Sequence, residues 1–196
     1  MTQAQNHPKK GSTIKVEPIR DVKAIRRIKK ILADNPRDFC LFTLGINTAY
    51  RANEILSIKV RDVEHLNVGG VLEVKQSKVN KYRGVTLNTN VIEAITALLS
   101  SRIYHPDDFL FYSQRADKLT VESVNHFVKQ WCLDVGLKGN YGSHSLRKTW
   151  GYHQRVQKNA PVPLLMEAFG HSTQKQTLDY LGIQSHEIQA LYALEL

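Results

Sequence analysis

The stretch Leu164-Leu165-Met166-Glu167-Ala168-Phe169-Gly170-His171-Ser172, with Tyr180 nine residues beyond the histidine, decides how this chain is read. Its first six residues place apolar side chains at helical spacing. Gly170 is expected to end that helix, since glycine enters the left-handed conformation of a helix C-terminus at little cost. Ser172 is then expected to cap a second helix that carries Tyr180 near its end. Taken alone, His171 is a histidine at a helix end, and Tyr180 is one of eight tyrosines suited to a core or an interface.

Upstream lies His144-Ser145-Leu146-Arg147. With Ser143 as the expected cap, residues i and i+3 of the first turn present an imidazole and a guanidinium on one face. A histidine satisfying a helix end beside a surface arginine is the plainer account. Further upstream, Arg51-Ala52-Asn53-Glu54 opens a helix, and its Arg51–Glu54 spacing also suits an ordinary helical ion pair. Between these segments, Gly69-Gly70 precedes an apolar strand at Val71-Leu72-Glu73-Val74. A basic stretch from Lys75 to Arg83 follows, then Gly84-Val85-Thr86-Leu87, which predicts a hairpin bearing Lys75, Lys78, Lys81 and Arg83.

Apolar residues at 42% and charged residues at 23% of 196 suit a folded globular chain. A net charge of +9 favours a polyanionic partner. Cys40 and Cys132 lie far apart in apolar company and read as buried thiols. There is no H-E-x-x-H, cysteine cluster, calcium loop or phosphate-binding glycine loop. Without an apolar signal or an 18-residue apolar run, a soluble, cytoplasmic protein is expected.

Residues 1–19 are polar and read as a flexible basic arm or linker remnant. Ile25, Ile28 and Leu32 then mark one helical stripe. Lys23, Arg26, Arg27, Lys29 and Lys30 lie off it, as a solvated face or a contact to a phosphate backbone. Asn35-Pro36 opens a second helix, and later helices are expected over 91–99, 121–135, 145–156, 162–169, 173–180 and 187–194. The expected fold is a mainly helical α+β domain over 20–184 with a small antiparallel sheet at one edge. A C-terminal helix within 185–196 would present Ile188, Leu191, Tyr192 and Leu194.

The order and spacing of these residues resemble the tyrosine recombinase, or phage integrase, family from about Ile25 to the C-terminus. Arg51-Ala52-Asn53-Glu54 and the following Leu56…Asp62 match its arginine box. Lys78 precedes a basic pair and an apolar strand as the family's hairpin lysine does. His144-Ser145-Leu146-Arg147 matches H-x-L-R, and Phe169-Gly170-His171-Ser172 resembles L-G-H-S with phenylalanine in place of leucine. The His171-to-Tyr180 step equals the family spacing, although Leu181-Gly182 replaces the more frequent threonine continuation.

The resemblance implies a catalytic set of Arg51, Lys78, His144, Arg147, His171 and Tyr180. Tyr180 would attack phosphorus, Arg51, Arg147 and His171 would hold the phosphate oxygens, His144 would take the phenol proton, and Lys78 would protonate the leaving 5′ oxygen. It further implies a 3′-phosphotyrosyl intermediate without a cofactor, double-stranded DNA as partner, and a homotetramer on paired sites that exchanges the C-terminal helix. Localisation would be cytoplasmic, nucleoid-associated in a prokaryote or phage-infected cell. Lys75, Lys81, Arg83 and Lys148 are the expected DNA contacts. Family members commonly carry a preceding helical DNA-binding domain. The chain is therefore expected to be either a stand-alone recombinase, like the small members that invert fimbrial switches, or a catalytic fragment. A non-cleaving DNA-binding regulator and a type IB topoisomerase-like enzyme are the alternatives.

Overall fold

Side-chain caps set most of the helix starts. Asp21 accepts from the Lys23 amide, Asn35 from Asp38 with Pro36 at the first helical position, Asn88 from Val91, Thr120 from Ser123 and Thr173 from Gln176. Each satisfies an amide that the helix itself leaves unpaired. The computed structural model describes residues 15–76, 82–113, 116–182, 189, 191–193 and 195. These form α1 (Val22–Ile31), α2 (Pro36–Asn47), α3 (Ala52–Ile55), β1 (Val71–Lys75), β2 (Tyr82–Thr86), α4 (Thr89–Ser100), α5 (Val121–Asp134), α6 (Ser143–Lys158), α7 (Val162–Phe169) and α8 (Gln174–Leu181). The mainly helical α+β architecture agrees with the sequence pattern, and no helix among the described residues is long and apolar enough to cross a membrane.

Helix α2 is the spine. Its Cys40, Leu41, Phe42 and Leu44 are fully buried, and it packs against α4, which supplies Val91, Ile95 and Leu98, and against α6, which supplies Leu146. A Cβ on Gly45 would stand 2.7 Å from Leu146 Cδ1, so glycine lets α2 and α6 approach closely at the H-x-L-R box. A smaller core of Ala49, Leu165, Phe169 and Leu181, backed by Trp150 and Tyr180, fills the space between the α7–α8 pair and α6. That second core lies directly behind the candidate site.

The antiparallel sheet pairs Leu72 with Val85, Val74 with Arg83 and Lys75 with Tyr82. Alternation turns Leu72 and Val74 inward and leaves Val71, Glu73 and Lys75 exposed. The Tyr50 hydroxyl donates to the Leu72 carbonyl, fixing the sheet to the segment between α2 and α3.

Three expectations are corrected. Helix α6 starts at Ser143 itself rather than being capped by it: Asn125 Oδ1 accepts from the Ser143 amide, and the Ser145 hydroxyl accepts from Gly142. Likewise Thr173, not Ser172, caps α8. The segment before α1 does not stay free up to residue 19. Ile19 is fully buried, its amide donates to Thr149 Oγ1 and its carbonyl meets His153 Nε2, because an apolar side chain with satisfied flanking amides gains by docking on α6. Most of the expected C-terminal helix lies outside the described residues; Leu191 and Tyr192 are 75% and 86% exposed.

Candidate active site

Glu54 organises the site. Its side chain is 1% exposed, and it gathers guanidinium groups from three parts of the chain. Arg51 Nη1 lies 2.9 Å from Oε1, Arg83 Nη2 lies 2.6 Å from Oε2 and Arg147 Nη1 lies 3.9 Å from Oε2. The Arg51 amide donates to the same carboxylate at 2.6 Å. A buried carboxylate is tolerated only when so compensated. Arg147 also donates through Nη1 to the Ala49 carbonyl and through Nη2 to the Phe169 carbonyl. One planar fork thereby ties the end of α2 to the end of α7, a span that the point charge of lysine does not cover. Burial and the neighbouring cations draw the Arg147 pKa down to about 10, which leaves it charged at neutral pH.

Gly170 ends α7 in the left-handed conformation, with φ +60°, and turns the chain so that His171 faces α8. His171 Nδ1 lies 3.0 Å from the Thr177 hydroxyl. The same hydroxyl reaches the Thr173 carbonyl at 3.4 Å; when it donates to Nδ1 instead, the proton of the neutral ring sits on Nε2. Burial, followed by the Arg147 and Arg51 charges, lowers the His171 pKa to about 4, so it is a neutral donor at physiological pH. The His171 and Tyr180 ring centroids are 5.2 Å apart. The Tyr180 hydroxyl is buried with no hydrogen-bond partner among the described residues. Burial pushes this phenol up to about 12, although Arg147 and Arg51 pull it down.

Arg51, Arg147, His171 and Tyr180 therefore converge. His144 is exposed on the first turn of α6 and lines a cleft of about 550 Å³ with Lys15, Lys148, Lys175 and Tyr180. Lys148, an expected DNA contact, stands on the wall of this cleft. It is buried beside the candidate nucleophile, with Nζ 4.9 Å from the Tyr180 ring centroid and its pKa lowered by burial and then by Lys15 and Arg20. Arg83, also an expected DNA contact, lies opposite Val74 in the sheet and points inward, where it binds Glu54 and donates to the carbonyls of Ala49 and Ala168. Lys75 is exposed at the end of β1. Lys78 and Lys81 lie outside the described residues.

Sequence reasoning missed Thr177, which meets His171 because the turn at Gly170 folds the histidine back toward α8. Arg83 had a detectable signal: the alternation that buries Leu72 and Val74 also turns their antiparallel partners inward.

Comparisons with known proteins identify the family and the fold. The model of the Phage integrase family matches residues 20–187. The Bacillus subtilis protein named "Probable integrase/recombinase YoeC" is 30% identical over 179 residues, covering 90% of this chain and 95% of that protein. A tyrosine recombinase of Pseudothermotoga lettingae is 27% identical over 184 residues, covering 88% of this chain and 63% of that one. Among solved structures, a XerH site-specific recombinase bound to palindromic difH substrate superposes with a TM-score of 0.76 at 22% identity, over 93% of this chain and 54% of that chain. XerA recombinase gives 0.75 at 17% identity, over 90% and 65%. The chain thus spans nearly all of one relative and little more than half of several others. With the buried arginine–glutamate cluster, the H-x-L-R helix and the histidine–tyrosine pair in place, and with the family match running over most of its length, the chain belongs to the phage integrase family.

Proposed function

We propose that this chain is a site-specific DNA recombinase that cleaves and rejoins DNA through a covalent 3′-phosphotyrosyl intermediate. The observation that carries this reading is the convergence of Arg51, Arg147 and His171 around a buried Tyr180 hydroxyl that lacks a hydrogen-bond partner among the described residues. A phosphodiester entering this pocket meets paired guanidinium donors and a neutral imidazole N–H, and the attacking phenol is already among them.

Tyr180 Oη forms a bond to phosphorus as the bond from phosphorus to the 5′ oxygen breaks. The phenol proton passes to His144, and the departing 5′ oxygen takes a proton from Lys78, leaving a phosphotyrosyl ester and a free 5′-hydroxyl. Attack by another 5′-hydroxyl reverses these steps. Support for Lys78 is indirect: the Gln76 amide, two residues earlier, approaches to 3.8 Å from where a Cβ would stand on Gly170, so β1 leads toward the His171 turn.

Incubation with a nicked suicide substrate is expected to give denaturant-resistant protein on the 3′ side of the break, with the adduct in the peptide carrying Tyr180. No adduct on a cognate site would overturn the reading and favour a non-cleaving regulator. Four protomers on two paired sites form the proposed assembly, supported by the exposure of Leu191 and Tyr192, two of the apolar residues that the expected C-terminal helix would present. Deleting residues 185–196 is expected to abolish this four-protomer complex in sedimentation on paired sites. An unchanged complex would remove the exchanged helix from the proposal.

A further inference from the structure

At position 169, where the resemblance has leucine, this chain has a phenylalanine, and the structure makes a seat for it. A Cβ on Gly151 of α6 would stand 2.3 Å from Phe169 Cζ and 2.9 Å from both Phe169 Cε2 and Leu181 Cδ2, so glycine there admits the ring, the ring end being the tighter contact. The ring then meets three groups of the site, His171, Tyr180 and Arg147. It stacks on His171 with centroids 5.0 Å apart and planes 21° apart, and meets Tyr180 edge-on at 5.1 Å. Trp150 closes its far side at 5.4 Å. The Arg147 guanidinium carbon lies 4.9 Å from its centroid, and Arg147 also binds the Phe169 carbonyl. Leucine has no flat face with which to hold an imidazole plane.

We propose that Phe169, seated in the notch left by Gly151, is a positioning residue for cleavage, its ring fixing the plane of His171 and the approach of Tyr180. Resting on the recombinase reading above, this adds a residue that never touches the phosphate. The groups facing His171 are Arg147 from α6, Arg51 ahead of α3, and Tyr180 and Thr177 from α8, with Glu54 behind the arginines. The aromatic face supplies part of the burial that, before either arginine, keeps this imidazole neutral.

The test compares wild type, Phe169→Leu, Gly151→Ala and the double variant by three readouts. These are melting temperature, the His171 titration followed by NMR on DNA-free protein and assigned by its loss in His171→Gln, and the rate of adduct formation on the suicide substrate. Phe169→Leu is expected to lower the melting temperature, to raise the His171 pKa by about one unit and to slow cleavage by roughly 10- to 100-fold. Gly151→Ala, which evicts the ring, should do the same. In the double variant the alanine methyl refills the space left by leucine. Its melting temperature should recover above that of Phe169→Leu, while the histidine titration and the cleavage rate stay displaced. Recovery of all three would show that Phe169 supplies volume only and overturn the proposal, as would a Phe169→Leu protein with the wild-type titration and rate. A wild type that forms no adduct would sink the recombinase reading alone, because the DNA-free titration still decides the role of Phe169.

Discussion

Tyr180→Phe is expected to form no covalent adduct with DNA while keeping or slightly gaining stability. The activity loss follows from the chemistry: phenylalanine retains the ring beside His171 but has no nucleophile. The stability result follows from an orphaned group. The Tyr180 hydroxyl is buried without a partner among the described residues, and such a group costs rather than contributes. Its removal should leave the unfolding free energy unchanged or raise it by about 1 kcal/mol, since the packing of the ring on Phe169 and His171 survives. Denaturant titration and the suicide-substrate gel measure the two effects together. Persistence of the adduct in the variant would remove Tyr180 from the nucleophile's role, and a stability loss of several kcal/mol would mean that the hydroxyl supports the fold.

Glu54→Ala is expected to produce the largest stability loss of any single change at the site, about 3–5 kcal/mol. The carboxylate is nearly inaccessible and stands against the guanidiniums of Arg51 and Arg83 at 2.9 and 2.6 Å, with Arg147 at 3.9 Å. Without it, three cations face one another in a low-dielectric interior, and the Arg51 amide loses its acceptor. Cleavage should fall with it even at temperatures where the variant stays folded, because Arg51 and Arg147 lose the group that sets their spacing. Glu54→Gln, which retains an oxygen acceptor but no charge, should lie between alanine and wild type. A loss below about 1 kcal/mol in the alanine variant would place Glu54 among ordinary solvent-screened pairs.

Local chemistry made most elements legible in advance. Asn35-Pro36 marked the start of α2, Gly170 marked the end of α7, and two apolar runs, each led by glycine and joined by a basic connection, marked the hairpin. Each signal acts within a few residues and survives whatever the rest of the chain does. Capping positions slipped by one at Ser143 and Ser172 because a neighbouring group, Asn125 in one case and Thr173 in the other, offered the acceptor instead. The site was legible as a list of residues, but not as an arrangement. Nothing in the spacing of Glu54, Arg83 and Arg147 shows that one carboxylate serves all three, and a basic hairpin hides the fact that one of its arginines points inward. Ile19 eluded composition for a related reason, since a single apolar residue in a polar segment docks only where α6 offers Thr149 and His153 to its backbone.

The cluster around Glu54 also defines an electrical condition for reaction. Three guanidiniums against one carboxylate leave a surplus of two positive charges, and His171 adds none at neutral pH. A resting phosphodiester carries a single negative charge and would leave that surplus half cancelled. Under attack by a phenolate it carries two. Counting Glu54, the three arginines and the phosphate, with Lys148 and His144 standing outside the cluster, charge balance is reached neither in the free protein nor with bound substrate, but at the crest of the barrier, where it lowers the energy of the species that has to be crossed.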